Sequence, residues 1–563
     1  MTLYHALPHP RTPSSGLSHV RGFDDQPLSN ACLHELLAQA VQRWPDRDAA
    51  IFCAEGIRWS WAQFQSRVNA AAAALHALGV QHGDRVGIWS PNRSEWLVTQ
   101  FATARLGAIL VNINPAYRVA ELAYALNKAS VSVLVSASRF KTSDYLGMLV
   151  QLGFGAANTQ LPTLRHVIRL GAGGHADMLD WSALMAQGHT RLPDAQSLNA
   201  HQPINIQFTS GTTGAPKGAT LTHHNIVNNA IAVAACMRLS EEDRLCIPVP
   251  LYHCFGMVLS VLACTSVGAA MVFPGEGFDP VDTLAAVQAE RCTALHGVPT
   301  MFIAELDHPE FSKFDLSTLR TGIMAGAPCP IEVMRRVQSL MHMRDVTIAY
   351  GMTETSPVSF QSATDDPLDK RVTTVGRVLP HLEVRIVDTQ GQTVPIGETG
   401  ELCTRGYSVM QGYWDEPERT ADTIQDGWMH TGDLATMDAD GYCNIVGRLK
   451  DMVIRGGENI YPREIEEFLF RHPKIAAVQV FGVPDERYGE QLCAWVVQRP
   501  GADCTEQELR TFCEQNIAHF KVPRYIRMVE ELPVTVTGKP QKFLMREAMV
   551  AELGLNRSAS ACA

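Results

Sequence analysis

The chain has 563 residues, 46% of them hydrophobic and 19% charged, and a formal net charge of −11. That length exceeds what one core supports and implies two or more domains, while a modest acidic excess excludes a nucleic-acid binder held by a basic field. The 14 cysteines are scattered, with neither C-x-x-C nor H-E-x-x-H, which argues against zinc and suits a reducing cytoplasm.

Residues 1–30 are rich in Pro, His and Ser, carry no apolar signal core, and are expected to form a flexible leader. Ser60-Trp61-Ala62-Gln63 spells a capping box, and the alanine-rich run to Leu78 predicts a helix. Strands are predicted over 85–89, 108–113 and 131–135, with helices over 95–106 and 121–127. Such alternation implies parallel sheets covered by helices, which bind ligands in the loops beyond their strand carboxyl ends. A further strand is predicted over 204–208. A long uncharged stretch covers 247–275, but its most apolar part, 257–273, is too short for a membrane span. It predicts a buried helix plus a strand, and no transmembrane segment.

From residue 382 the pattern changes to short strands and hairpins, with Asp438-Ala439-Asp440-Gly441 as one turn. After Arg448 the classes mix again: helix over 464–471, strands over 476–483 and 492–497, and a helix capped at Thr505. The expected fold class is α/β. A large N-terminal domain (31–449) of helix-covered sheets carries a β-rich subdomain near 380–447, and a small mobile α+β domain follows from 450 to 563.

Between Phe208 and Asn225 the chain reads F-T-S-G-T-T-G-A-P-K-G-A-T-L-T-H-H-N. Glycines Gly211 and Gly214 free the backbone so that several N–H groups can converge on one anion. Thr209, Ser210, Thr212 and Thr213 add hydroxyl donors, and Lys217, after Ala215-Pro216, adds a full charge. A lone Gly-rich loop is more often a polar turn, but this one has the composition of a phosphate cradle. It is not a P-loop, since Pro216 and Gly218 replace the glycine and the Ser/Thr which flank that motif's lysine. Tyr350-Gly351-Met352-Thr353-Glu354-Thr355 follows a β-branched run, and Glu354 can offer Mg²⁺ an oxygen ligand. Other candidates are Gly326-Ala327-Pro328, Thr431-Gly432-Asp433, Arg448, the loop Arg455-Gly456-Gly457, and Lys539 after Gly538.

Taken together, these motifs resemble the acyl-adenylate-forming enzymes: acyl-CoA synthetases, peptide-synthetase adenylation domains and beetle luciferases. The resemblance covers residues 30–550. It implies that the Thr209–Lys217 loop binds ATP phosphates, with Thr209, Glu354 and Lys539 in catalytic roles and Mg²⁺ on Glu354. It further implies that Tyr350 lies along the adenine, Gly326, Ala327 and Pro328 line its pocket, Asp433 accepts from both ribose hydroxyls, and Arg448 binds ribose and phosphate. Gly351 and Thr353 belong to the same nucleotide motif. Lys450 matches the hinge position, where aspartate is common. Arg455, Gly456 and Gly457 match a loop that flanks the CoA pantetheine path in the second half-reaction. Pro540 departs from the Ile or Val common after the lysine.

Amino-acid-activating members of the resembling family pair the substrate amine with an aspartate early in this pocket; Pro250-Leu251-Tyr252-His253-Cys254-Phe255-Gly256 has no carboxylate, so the resemblance disfavours an amino-acid substrate. His253 matches a position beside the substrate carboxylate, with a satisfied core histidine as the alternative. Phe255, Met257, Val298, Met301, Met324 and Met352 suggest an apolar wall. The runs 400–414 and 448–462 are most similar to the medium-chain fatty acyl-CoA synthetases of the acyl-CoA synthetase family member 2 type. The implied reaction converts a fatty carboxylate and ATP to acyl-AMP and pyrophosphate, then acyl-AMP and CoA to acyl-CoA and AMP. Alternatives are transfer to a carrier-protein thiol, an aryl or other carboxylate, a binding module without turnover, and a P-loop kinase. The implied partners are small molecules, with no nucleic acid and with homodimer formation left open.

Overall fold

The computed structural model describes residues 12–13, 15–171, 177–188, 191–193, 198–209, 216–327, 329–455, 458–535 and 538–555. Two large sheets form the body of the N-terminal part. In the first, eight strands run in the order Leu179–Asp180, His166–Leu170, Val133–Ala137, Arg85–Trp89, Ile109–Asn112, Pro203–Thr209, Lys217–Thr222, Gly412–Tyr413. Pairing is parallel as far as Pro203–Thr209 and antiparallel beyond it. In the second, nine strands surround a parallel centre that includes Thr321–Ala325 and Asp345–Gly351.

Helices Leu33–Arg43, Trp61–Ala77, Ser94–Leu106 and His223–Cys236 contribute to one continuous core with residues of both sheets. Trp61, Phe64, Trp96 and Phe101 are fully buried there, each contributing about 1.5–3 kcal/mol by leaving water. Local sequence sets these helix starts. Ser60 Oγ accepts from Gln63 N at 3.3 Å while Gln63 Oε1 accepts from Ser60 N at 2.9 Å. Thr222 and Asn225 make the same reciprocal pair at the start of His223–Cys236. The uncharged stretch is a buried π-helix, Phe255–Leu262, that continues as Ala263–Val267 and then the strand Ala270–Phe273. Among the described residues, no helix is long and apolar enough to cross a membrane.

A third, antiparallel sheet joins Leu382–Val387, Gly400–Gly406, Trp428–Met437 and Cys443–Arg448. Within the leader expected over 1–30, the described residues 15–30 include a docked strand. His19–Arg21 pairs with Leu382–Val387 as an edge strand, and Ser29 is tied to Asn228 through both its N–H and its carbonyl. A polar segment can dock in this way because an edge strand needs only main-chain partners. After Arg448, five strands and the helices Pro462–Leu469, Glu506–Asn516 and Lys542–Glu552 enclose separate small cores.

Candidate active site

The strands Pro203–Thr209 and Lys217–Thr222 pair in register with Thr209 opposite Lys217, so they form the two stems of the phosphate-type loop. Ser210, Gly211, Thr212, Thr213, Gly214 and Ala215 lie outside the described residues, as do Pro328, Gly456 and Gly457. Thr209 Oγ1 donates to Glu354 Oε1 at 3.2 Å, and Tyr413 Oη donates to the same oxygen at 3.0 Å. Lys217 Nζ stands 4.9 Å from the centre of the Tyr413 ring, a cation–π distance. Glu354 is therefore tied to two strands of the first sheet, Pro203–Thr209 and the edge strand Gly412–Tyr413. Among the described residues, nothing donates to its Oε2.

Glu354 sits in the turn Thr353–Thr355 just after the strand Asp345–Gly351. Gly351 is required there: a Cβ at that position would lie 1.7 Å from Pro357 O. Met352 N donates to Pro357 O at 2.9 Å, and Thr353 Oγ1 lies 3.8 Å from Cys254 Sγ. At the end of the same strand, Tyr350 Oη donates to Asp433 Oδ2 at 2.6 Å. Arg448 Nε lies 3.2 Å from Asp433 Oδ1. Burial raises the Asp433 carboxyl above its ordinary value, against the pull of Arg448 and the Tyr350 hydroxyl.

The C-terminal part supplies Lys539. Its N–H donates to Thr535 Oγ1 at 3.1 Å and its carbonyl accepts from Thr535 N at 2.8 Å, which closes a tight turn. Gly538 occupies the left-handed region at φ +77°, and a Cβ there would lie 2.8 Å from Thr300 Oγ1 and 2.9 Å from Val298 Cγ2. Burial and the charge of Arg448 lower the Lys539 ammonium, while Cys254, Glu354 and Asp433 pull it upward. Lys539 is thus within electrostatic reach of every charged group named so far except Lys217.

His253 Nδ1 accepts from Phe255 N at 3.1 Å, and burial, then Lys539, pushes the imidazole down to about 3. A neutral histidine beside the lysine can accept or donate without adding charge. Phe255 opens the π-helix and lies 5.3 Å from the His296 ring. Met324, Val298 and Met301 are buried, and Met352 is partly so. Val298 also touches the adenine-type segment, since a Cβ on Gly326 would lie 3.1 Å from its Cγ1. Ala327 O accepts from Cys329 Sγ at 3.5 Å. Met257 is not a plain wall residue: its sulfur accepts from Asn112 Nδ2 and Gln207 Nε2, both at 3.3 Å.

The structure thus gathers Thr209, Lys217, Tyr350, Glu354, Asp433, Arg448, Lys539 and His253. Arg455 lies elsewhere. Its Nη1 donates to Phe520 O at 2.6 Å, and its guanidinium covers Tyr488 at 5.4 Å. Lys450 is exposed, two residues beyond Arg448. Sequence reasoning missed Tyr413, whose only local signal is an aromatic pair after Gly412.

Known proteins resemble this chain over nearly its whole length. Residues 37–414 match the AMP-binding enzyme family, and residues 464–539 match the AMP-binding enzyme C-terminal domain. The medium-chain acyl-CoA ligase ACSF2, mitochondrial, of Danio rerio is 45% identical over 564 residues, covering 97% of this chain and 93% of its own. The crystal structure of the anthranilate CoA ligase AuaEII in complex with anthranoyl-AMP superposes with a TM-score of 0.86 at 28% identity, covering 94% of this chain and 99% of that one. ATP-bound MatB from Rhodopseudomonas palustris superposes at 0.80 with 31% identity, covering 92% and 99%.

Proposed function

The chain belongs to the AMP-binding enzyme family, and we propose that it is an ATP-dependent, AMP-forming acid–CoA ligase acting on medium-chain fatty acids. The observation that carries this reading is the convergence of Glu354, Asp433 and Lys539 from three separate parts of the chain. The name of the ACSF2 relative and the uncharged wall around Phe255 and Met324 support a medium-chain acid.

In the first half-reaction the fatty carboxylate attacks the α-phosphorus of ATP, and the bond to the β-phosphate breaks to release pyrophosphate. Both reactants are anionic, so catalysis is positioning plus charge neutralisation. We assign Lys539 to the developing charge near the α-phosphate and Lys217, with the Thr209–Ala215 loop, to the leaving phosphates. Asp433 is assigned to the ribose, with Tyr350 and Arg448 aligning its carboxylate. The residues fit a magnesium ion: Glu354 is a hard oxygen donor, fixed through Oε1, with Oε2 left to bind. Bound there, Mg²⁺ would neutralise phosphate charge.

In the second half-reaction the CoA sulfur attacks the acyl carbonyl of acyl-AMP and AMP departs. Lys539 stands with Arg448, Glu354 and Asp433, while Arg455 is turned into its own domain. We propose that the C-terminal domain turns about Lys450 between the two steps, withdrawing Lys539 and bringing in the 455–457 loop. The reducing cytoplasm is the proposed compartment.

CoA-dependent AMP release measured with acetate, octanoate, palmitate and benzoate tests the substrate class. Octanoate should give the highest kcat/KM. A preference for benzoate would move the enzyme to the aryl-CoA ligases.

A further inference from the structure

Next to Asp433 its strand bulges away from Gly400–Gly406 on one side, while Asp433 itself stays paired with Arg448 on the other. Glu401 pairs with Leu434 and Cys403 pairs with His430, so two steps on one strand face four on the other. Thr431-Gly432-Asp433 thus lie opposite Leu402 alone, a surplus of two residues. Such a bulge strands main-chain donors that must be satisfied elsewhere.

Glu401 satisfies the one at Gly432 and ties the bulge to His430. Its Oε1 accepts from Gly432 N at 3.0 Å, and its Oε2 accepts from His430 Nδ1 at 2.9 Å. Thr431 between them donates to Leu402 O at 2.7 Å and accepts from Asp433 N at 3.1 Å. Gly432 holds φ +69°, and its carbonyl accepts from Leu449 N at 2.9 Å. Cys403 Sγ lies 3.5 Å from the same His430 nitrogen. Burial pushes that thiol up to about 12, so it is a neutral neighbour rather than a third anchor.

We propose that Glu401 is a positioning residue for the nucleotide: it staples the Thr431–Asp433 bulge in the shape that presents the Asp433 carboxylate to the ribose. It touches no substrate itself. The inference rests on the assignment of Asp433 to the ribose, and its test separates the two.

Pyrophosphate exchange is measured with ATP, 2′-deoxy-ATP and 3′-deoxy-ATP for the wild type, Glu401→Ala, Glu401→Gln and Asp433→Ala. Losing a correctly aimed hydrogen bond to a charged group costs about tenfold. Glu401→Ala should raise KM for ATP by about that factor with kcat little changed, and the penalty should shrink with a deoxy nucleotide. Glu401→Gln keeps an acceptor for Gly432 N and should recover most of the loss. If the alanine variant does not fold, Glu401→Asp, one methylene shorter, should show the same ribose-selective penalty. An equal penalty on all three nucleotides, or a loss in kcat alone, would overturn the proposal while leaving the ribose reading intact if Asp433→Ala remains ribose-selective. If Asp433→Ala is itself indifferent to the ribose hydroxyls, the ribose assignment fails and this inference falls with it.

Discussion

Tyr413 Oη donates to Glu354 Oε1 across 3.0 Å, joining the last strand of one large sheet to the turn at the end of a strand in the other. The bond fixes one carboxylate oxygen, and the other is the one proposed to hold magnesium. A hydrogen bond to a charged group contributes about 1.5–3 kcal/mol. Tyr413→Phe should therefore slow adenylation about tenfold or more, with the fold intact. Tyr413→Leu, which also removes the ring beneath Lys217, should slow it further. Pyrophosphate exchange reads both, and an unchanged rate for Tyr413→Phe would show that Thr209 alone suffices to hold Glu354.

Lys539 is the residue proposed to act in the first half-reaction. Lys539→Ala should lower adenylate formation by about a hundredfold or more, the scale on which a preorganised transition-state donor is lost. Transfer from supplied acyl-AMP to CoA should be largely spared. Equal loss of both half-reactions would remove the lysine from its proposed role.

Lys450 is the proposed pivot. Proline there fixes φ and removes a main-chain donor, so Lys450→Pro should leave adenylation near wild type and block thioester formation. Stopped reactions with and without CoA distinguish the two, and unchanged octanoyl-CoA synthesis would place the pivot elsewhere.

Asp433 should carry a stability cost in exchange for its proposed function. Burial raises its carboxyl above the ordinary 3.8. The folded protein therefore holds the proton to higher pH than the unfolded chain does. Stability falls as pH rises between the two values, and the loss persists at neutral pH. Asparagine has no such proton to lose. Asp433→Asn should raise Tm by about 1–3 °C at neutral pH, lose that advantage below pH 3.8, and bind ATP more weakly. A lower Tm at neutral pH would mean that the pairing with Arg448 outweighs burial.

Much of this arrangement was legible in the chain because its signals are local. Ser60 and Gln63 announce a helix start, and the apolar run at 85–89 is the strand Arg85–Trp89. The nucleotide motifs are contiguous, so Glu354, Asp433 and Lys539 could be named before their convergence was seen. Tyr413 and Glu401 were not legible as site residues. Tyr413 meets Glu354 across 59 positions, and Glu401 meets Gly432 across 31. Both contacts depend on strand pairing, which no local pattern encodes. The docked strand His19–Arg21 was missed for a related reason: its pairing is main-chain, and its composition is that of a tail. The π-helix at Phe255 is fully buried, so no polar face marks its period.

The central claim is that one site makes acyl-AMP and then passes the acyl group to CoA. It is tested most directly by following α-phosphate-labelled ATP with octanoate and magnesium, with and without CoA. The account predicts labelled octanoyl-AMP and pyrophosphate without CoA, and labelled AMP with octanoyl-CoA once CoA is added. Labelled ADP, or octanoyl-AMP that persists in the presence of CoA, would contradict it.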